Sequence, residues 1–430
     1  MATEVLKPTI IGSLACQKNS FVKNDFQTVV LRCEPTQKTT LYEVELQDTI
    51  LFPEGGGQPG DTGFILPAGS VEEIIVSQVA RKGLHAVHYV NKFIEPGSKV
   101  ELQVNWTQRL DYMQQHTGQH LLSAILENEW QLDTLSWSMG GTPSDKKPNV
   151  EPSDLFNYVE IGRNLSDEEI IELSDLCNEY ITTKAQAIEV DQQGSEDCDS
   201  EKGVMRTVRI GELDANPCCG THLQSTSQIG SILISPFQNK VRGKNSKLYF
   251  MCGSRVLKYA RFSHSITSRA KTLLSCTEAE VPQKIEFQRI ASQKISKREQ
   301  YWVKEFASSN LVSIIQAVEL RKKGHLAVDE FGTLDVLAHI QKGLNLEIEK
   351  RQIQDYNIVL CGREKATNSG AILILSNSGT EIVSTASEIS GLVQKLKGGG
   401  GKNGGKWQGK VIEYGELEWD LMVQFLSESF

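Results

Sequence analysis

The sequence predicts an α+β protein with several domains, and three patterns support this fold class. Short runs of alternating polar and apolar residues, which are typical of β-strands, fill the first 105 residues. Beyond them, helix-like and strand-like segments interleave without the strict alternation of a parallel α/β fold. A chain of 430 residues is also long enough for two or three hydrophobic cores.

The composition is that of an ordinary globular protein, with 39% hydrophobic and 23% charged residues. No apolar run approaches the length of a membrane helix, and the first ten residues lack a signal-peptide pattern, so we expect no membrane association. Nine cysteines, an odd number, favour reduced thiols and a cytoplasmic location. The net charge of −9 does not by itself favour nucleic acid, although only a local patch needs to be basic.

Residues 1–105 are predicted to form a small β-barrel or compact sheet. Runs such as Phe26–Cys33 alternate and are bounded by polar turns, and several short strands at close spacing favour a barrel. His88 falls within one of these runs and is interpreted as an ordinary strand residue. The segment Glu54–Gln58 contains three consecutive glycines, whose backbone can approach a ligand and expose N–H groups. A tight turn between strands is an equally good interpretation of that segment.

The most informative motif is HTGQHLL, in which His116 and His120 lie four residues apart. On a helix these two rings share one face and can reach one metal ion. Far downstream, Cys218 and His222 have the same spacing in a turn-like Pro-Cys-Cys-Gly context. Each pair alone is weak, since a polar helix face is the commoner explanation of two histidines. Together the four borderline ligands predict a zinc site.

Two details of this motif stay open at the level of sequence. Cys218 has the better spacing for a ligand, but its neighbour Cys219 is an alternative. Gly118, between the two histidines, costs a helix up to ~1 kcal/mol relative to alanine. Either a ligand comes close to the backbone there, or close helix packing leaves no room for a side chain.

Thr117 follows the first histidine, so the general base of the HExxH metalloproteases is missing.

Downstream of the helix, Leu135–Gly140 is predicted to be a strand that could line the pocket with the hydroxyl of Ser136 or Ser138. The strand-like runs 229–234 and 247–250 are predicted to pair. The loop between them carries Lys240, Arg242 and Lys244. This loop is a candidate phosphate contact, although a solvated hairpin tip is the commoner outcome for such a loop.

The last third of the chain is predicted to contain a helical linker, residues 263–308, and a C-terminal α/β domain, residues 309–430. Within that domain, the segment Lys397–Trp407 interleaves glycines and lysines and ends in a tryptophan. Such a segment can follow a phosphate backbone and stack a base. A flexible linker has a similar composition.

The two metal-ligand motifs together resemble the HxxxH and CxxxH motif of the alanyl-tRNA synthetase editing domain and its free-standing relatives, the AlaX-type trans-editing proteins. The motif maps onto His116, His120, Cys218 and His222. Three other segments are similar to the family: Leu51–Gly63, Arg109–Gln115 and Cys252–Leu257. The resemblance covers about residues 20–262, and the layout is similar to the long eukaryotic form of the family. The glycine-rich tail resembles a divergent synthetase C-terminal domain.

Two departures from the family pattern are visible. Gln119 stands where the family often has threonine, which puts amino-acid discrimination in doubt. Cys219 stands where the family often has glycine, and this leaves the four ligands intact.

The resemblance implies a two-layer α+β zinc editing domain over residues 106–262, and an aminoacyl-tRNA deacylase. Its expected partner is mischarged tRNA, with Ser-tRNA(Ala) first and Gly-tRNA(Ala) second, and its expected cofactor is Zn²⁺. Zinc could activate the attacking water or only orient the substrate, and we prefer the direct role; no side chain beyond the ligands is predicted to be catalytic. The candidate substrate or tRNA contacts are Gly56, Gly57, Gln58, Gln119, Ser136, Ser138, Arg242 and Lys244.

Two other functions compete with this one. The first is a zinc-stabilised RNA-binding module without catalysis, and the second is a zinc hydrolase for small esters or amides. The sequence contains no ATP-binding or aminoacylation motif, which argues against synthetase activity. It does not predict an oligomeric state.

Overall fold

The structure is a computed structural model that describes residues 7–37, 39–141, 150–192, 198–199 and 203–430. The chain divides into two compact units, Met1–Ala270 and Lys271–Phe430. Both units contain helices and sheets, so the α+β prediction is confirmed. Among the described residues, no helix combines the length and apolar character that a membrane span requires.

The first unit begins with a closed six-stranded antiparallel barrel, as predicted. Its elements are α1 (Ala15–Lys18), β1 (Phe26–Pro35), β2 (Tyr42–Leu46), β3 (Gly63–Pro67), β4 (Ile74–Lys82), β5 (His85–Val90) and β6 (Lys99–Val104). The strands follow the order β1-β2-β5-β4-β3-β6 around the barrel. Alternate residues such as Val44, Leu46 and Leu102 point inward and form the core, which explains the alternating pattern of the sequence.

A 25-residue helix, α2 (Trp106–Trp130), follows the barrel and carries the first metal-ligand motif. The Asn105 side chain caps it by accepting a hydrogen bond from the backbone N–H of Gln108. A Cβ added at Gly118 would lie only 2.2 Å from the Sγ of Cys252. Of the two explanations for this glycine, close packing of the helix is therefore the correct one.

In the rest of the first unit, two sheets pack against α2 and against a second helix, α3 (Asp167–Thr182). The elements of this part are β7 (Ser136–Ser138), β8 (Asn157–Ile161), α3, β9 (Ile188–Gln192), β10 (Cys198–Asp199), β11 (Gly203–Val204), β12 (Arg206–Ile210), β13 (Asp214–Pro217), β14 (Ile232–Lys240), β15 (Ser246–Cys252) and most of α4 (Ser254–Leu274), whose last four residues fall in the second unit. One sheet has the order β14-β15-β8-β7 and the other β13-β12-β9, while β10 pairs with β11. The predicted pairing of 229–234 with 247–250 is confirmed as the antiparallel β14–β15 hairpin.

The second unit is a five-stranded sheet covered by helices on both faces. Its elements are α5 (Val281–Arg321), β16 (Lys323–Val328), α6 (Leu334–Lys350), β17 (Asn357–Glu364), β18 (Ser369–Ser376), α7 (Gly379–Leu392), β19 (Leu396–Gly400), β20 (Gly405–Val411) and α8 (Glu418–Ser429). The strand order is β16-β17-β18-β20-β19, with only the β16–β17 pair parallel. Helices α5 and α6 cover one face, and α7 and α8 cover the other.

Helices α4 and α5 occupy the stretch in which a helical linker was predicted. The first of them begins at Ser254 and the second ends at Arg321, which is beyond residue 308, with a break at residues 275–280. The division of the chain into four domains stays a prediction.

The glycine-rich segment near the C-terminus forms the β19–β20 hairpin, and its tryptophan does not face solvent. Trp407 is only 8% exposed and packs in the core with residues of α7 and α8. A Cβ at Gly398 or Gly409 would come within 2.4 or 2.5 Å of the Trp407 ring, so these glycines make room for the indole. The interpretation of Trp407 as a base-stacking residue is wrong, because its ring is enclosed by the core.

Candidate metal centre

Four side chains from two distant segments converge in the first unit. The ligand atoms of His116, His120, Cys218 and His222 all lie within 4.8 Å of one another. The Sγ of Cys218 lies 3.4 Å from the Nε2 of His116 and 3.3 Å from the Nε2 of His222. Tetrahedral zinc with ordinary Zn–S and Zn–N bonds would place sulfur and nitrogen about 3.6 Å apart. The donor set and its spacing therefore fit zinc.

Local structure explains how each ligand reaches the cluster. His116 and His120 lie one turn apart on the buried face of α2, and their ring centroids are 5.3 Å apart. Cys218 follows β13 directly, and its backbone N–H donates to the carbonyl of Arg206 on the paired strand β12 at 3.1 Å. Strand pairing thus presents the loop that contains Cys218 and His222 to the helix.

Gln58 of the glycine-rich loop orients His116. Its Oε1 lies 3.0 Å from the Nδ1 of His116 and also accepts from the backbone N–H of Thr221. Because an amide oxygen only accepts, Nδ1 carries the proton and Nε2 presents its lone pair to the cluster. Gln58 is only 2% exposed, and its position beside a ligand is a role that the sequence did not indicate.

The carboxylate of Asp214 lies beside His120 at a longer distance. Its Oδ2 is 3.5 Å from the Nδ1 of His120, and the Asp214 side chain is 8% exposed. Burial acts to lower the pKa of His120, but Asp214 and Cys218 outweigh it and raise the pKa to about 9. Sequence reasoning missed Asp214, whose only signal was an acidic residue shortly before the cysteine. A carboxylate that holds a metal-ligating histidine is a common arrangement in metal sites.

The remaining two ligands have the protonation states that zinc prefers. Burial lowers the pKa of His222 to about 3, so this imidazole is neutral. Burial opposes ionisation of Cys218, but the histidines around it, His116 first among them, lower the pKa of its thiol well below the usual value. Thiolate and neutral imidazole are the forms that bind zinc, so a bound metal would displace the proton that a pKa of about 9 leaves on His120. The buried Nδ1 of His222 has no hydrogen-bond partner among the described residues.

Cys219 does not belong to the ligand cluster. Its Sγ lies against the backbone of Gly55, where an added Cβ would be 3.1 Å away, and burial raises its pKa. Its carbonyl accepts a hydrogen bond from the Nε2 of Gln17 at 2.8 Å. Of the two cysteines that the sequence left open, Cys218 is the one in the cluster.

Two buried arginines hold the two halves of the site. Arg109 of α2 is fully buried and donates to Asp61 and to the carbonyls of Ser20 and Ile50 in the N-terminal part of the chain. Arg206 of β12 is 3% exposed and donates to the carbonyl of Gly220 at 2.9 Å. Its other terminal nitrogen donates to the carbonyl of Gln17 at 2.8 Å. These contacts fix the helix and the cysteine loop to the N-terminal segment.

The glycine-rich loop covers the cluster. A Cβ at Gly56 would lie 3.4 Å from the Sγ of Cys219, 3.5 Å from the Sγ of Cys218 and 3.5 Å from the ring of His116. At Gly57 it would lie 2.6 Å from the ring of Trp137. Both glycines have positive φ, 60° and 82°, which side chains disfavour. The positive φ at both positions, together with the Trp137 ring beside Gly57, explains why glycines form this part of the loop.

The other predicted contact residues lie in different surroundings. Ser136 donates to Glu160 at 3.0 Å, and Ser138 lies on the same side of β7. Gln119 is buried and donates to Ser123 at 2.8 Å. Arg242 and Lys244 lie in the exposed turn between β14 and β15. Substrate contacts by these five residues stay predictions.

A comparison with known proteins first identifies the class of domain to which part of this chain is similar. Residues 205–249, which contain Cys218 and His222, match the family described as the threonyl and alanyl tRNA synthetase second additional domain. The chain is 48% identical to "Putative alanyl-tRNA editing protein alaX" of Saccharomyces cerevisiae over 99% of this chain and 98% of that protein. It is 30% identical to the alanyl-tRNA editing protein Aarsd1 of Danio rerio over 94% of this chain and 95% of that protein. It is also 34% identical to the alanyl-tRNA editing protein AlaX-L of Pyrococcus horikoshii, over 50% of this chain and 52% of that protein. The chain therefore belongs to the family of alanyl-tRNA editing proteins, which confirms the family resemblance.

Proposed function

We propose that this protein is a trans-editing deacylase that hydrolyses the ester bond of mischarged tRNA. The observation that carries the proposal is the convergence of His116, His120, Cys218 and His222, in a chain whose full-length relatives are named alanyl-tRNA editing proteins. The free thiols of the described cysteines support action in the reducing cytoplasm.

The proposed substrates are Ser-tRNA(Ala) first and Gly-tRNA(Ala) second. A synthetase pocket built for alanine cannot strongly reject glycine, which is smaller, or serine, which adds only a hydroxyl. Discrimination by binding alone is worth about 10–200-fold for such small differences, so a second hydrolytic site is needed. A polar editing pocket can select serine through its hydroxyl.

We propose zinc as the cofactor, held by the four ligands. When bound, zinc supplies a Lewis acid that can polarise an ester carbonyl or lower the pKa of water. The chain's own residues prepare the ligands: Gln58 and Asp214 orient His116 and His120. The backbone N–H groups of Gly56 and Gly57 make no hydrogen bond among the described residues, and we assign them as donors to the substrate ester.

Four protein ligands leave zinc no open position, so a direct catalytic role requires one ligand to loosen. His222 is the best candidate, because its Nδ1 has no partner among the residues that the structure describes, whereas the Nδ1 of His116 lies 3.0 Å from Gln58 and that of His120 lies 3.5 Å from the Asp214 carboxylate. X-ray absorption on the protein with bound substrate analogue tests this. We expect an oxygen ligand to replace one nitrogen. Four protein ligands with no oxygen would instead leave zinc an orienting role.

Substitution of a ligand tests the function. We expect His116→Ala and Cys218→Ala to lose bound zinc and to reduce deacylation of Ser-tRNA(Ala) by more than about 100-fold, since loss of a residue that merely supports a ligand already costs 10–100-fold. Cys219→Ala is the matched control, because its sulfur lies outside the cluster, and it should keep its zinc and its activity. Circular dichroism would verify that the barrel stays folded. Retained turnover in both ligand variants after zinc loss would contradict the proposal.

The competing functions predict different results in the same assays. A zinc-stabilised RNA-binding module would lose thermal stability and tRNA binding on chelation, yet hydrolyse no member of a panel of mischarged tRNAs. A hydrolase for small esters would turn over model esters without competition from bulk tRNA.

A further inference from the structure

Trp137 is an aromatic side chain beside the ligand cluster to which the metal chemistry assigns no role. Its ring centroid lies 5.0 Å from that of His116, and the two planes are inclined by 31°. Successive side chains of β7 point to opposite faces, and Ser136 on the other face is bound to Glu160. The strand therefore directs its indole, and not its two hydroxyls, toward the cluster.

The indole is held in place by the glycine-rich loop. Its Nε1 donates to the carbonyl of Gly56 at 3.2 Å. The ring also fills the space that a side chain at Gly57 would need, since an added Cβ would lie 2.6 Å from it. A ring that is already fixed loses little conformational freedom when a ligand binds, which favours affinity.

The surroundings of Trp137 favour a flat ligand. The residue is half-buried: it packs in part against the core of the first unit, and the rest of it remains accessible beside the ligand cluster. Serine and glycine carry no planar group that could stack there. The nucleoside esterified to them does, because every charged tRNA ends in adenosine. Aromatic side chains bind unpaired bases by stacking, without the need for base-specific hydrogen bonds.

We propose that Trp137 is the stacking platform for the terminal adenine of the substrate and thereby positions the ester beside the metal ligands. This inference rests on the proposed function, since it assumes an aminoacyl-tRNA substrate. It makes Trp137 a binding residue that acts on the nucleoside and not on the amino acid.

Binding to a hydrolysis-resistant probe tests the platform independently of catalysis. The probe is a short RNA hairpin ending in CCA whose terminal ribose carries serine through an amide bond. A matched probe has an abasic terminal ribose in place of adenosine. We expect the wild-type protein to bind the adenine probe about 5- to 150-fold more tightly, which corresponds to about 1–3 kcal/mol of stacking. Fluorescence anisotropy measures both affinities.

Three variants and a control separate stacking from structural support. Trp137→Leu keeps an apolar side chain and Trp137→Ala removes it; both should lose the preference for the adenine probe, whereas Trp137→Phe should keep most of it. Trp130→Leu is the matched control, because Trp130 lies ten residues beyond His120, about 15 Å along the helix axis, and should retain the wild-type preference. Zinc content and melting temperature verify that each variant is folded.

The outcomes are decisive in both directions. The inference is overturned if the wild-type protein shows no preference between the probes, or if Trp137→Leu weakens both probes equally, as expected for a wall of the amino-acid pocket. If the protein prefers the adenine probe through Trp137 but hydrolyses no mischarged tRNA, the stacking platform stands and the deacylase proposal fails.

Discussion

The protein contains two glycine-rich segments, Glu54–Gln58 and Lys397–Trp407, that look alike in sequence and differ in the structure. Each makes room for one tryptophan, since Gly57 abuts Trp137 and Gly398 abuts Trp407. Trp137 is partly exposed and lies beside His116. Trp407 is enclosed in the core of the second unit.

This difference shows that glycine content alone does not indicate a ligand-binding loop. In the first segment, positive φ at Gly56 and Gly57 turns the backbone toward the metal ligands and leaves two N–H groups without partners among the described residues. In the second segment, Gly398 and its neighbours belong to a strand whose backbone pairs with β20. This pairing uses the backbone groups on one side of β19, and the Trp407 ring fills the space beside Gly398.

The largest expected effect comes from the enclosed tryptophan. Trp407→Ala should destabilise the second unit by about 3–5 kcal/mol, because it removes a large buried ring and leaves a cavity. Denaturant unfolding measures the loss. Zinc content should not change, because all four ligands lie in the first unit. If Trp407→Ala left the stability unchanged and weakened tRNA binding, Trp407 would be a base-stacking residue and not a core residue.

The barrel that carries the first segment should also respond to acid. His88 is fully buried, with Nδ1 near the carbonyl of Val44 and Nε2 near Thr49, and burial lowers its pKa from 6.5 to about 4. Between these pH values the unfolded chain binds a proton that the folded chain excludes, so stability falls as pH falls. The shift corresponds to about 3 kcal/mol between pH 7 and pH 4.

Urea unfolding at several pH values tests this prediction. His88→Gln should reduce the pH dependence of the first unit between pH 6.5 and pH 4. The matched variant His85→Gln alters a partly exposed histidine on the same strand and leaves His88 in place, so it should keep the wild-type dependence at His88. An unchanged slope in His88→Gln would show that other groups cause the acid response.

The smallest expected effect is a difference in stability between alanine substitutions at two adjacent glycines of the second segment. Gly398→Ala should cost about 1–3 kcal/mol, because its Cβ would meet the Trp407 ring at 2.4 Å and overpack the site. Gly399→Ala places its Cβ in open space and should be neutral or slightly stabilising. Melting temperatures of the two variants give the comparison. Equal effects would mean that the indole does not occupy the space beside Gly398.

Local spacing was sufficient for several parts of this protein. Two histidines four residues apart on an apolar-faced helix must share one side, and alternating residues must divide between the two faces of a strand. The helical pair His116 and His120 and the N-terminal barrel were therefore predictable. The repeated spacing in Cys218 and His222 identified the second half of the site, because zinc accepts few ligand types.

Only the tertiary structure decided which neighbours complete the site. Gln58 and Asp214 reach the histidines from a loop and a strand that are far apart in the chain, and no local pattern encodes such contacts. The tertiary structure also decided that Cys218 and not Cys219 joins the cluster, because strand pairing sets which side chain of an adjacent pair faces the helix. The sequence determined which residue types were available for the chemistry. It also determined which of them share one face of a helix or strand, because that depends only on their spacing along the chain. Packing determined how these residues meet, because it brings together segments that are far apart in the chain.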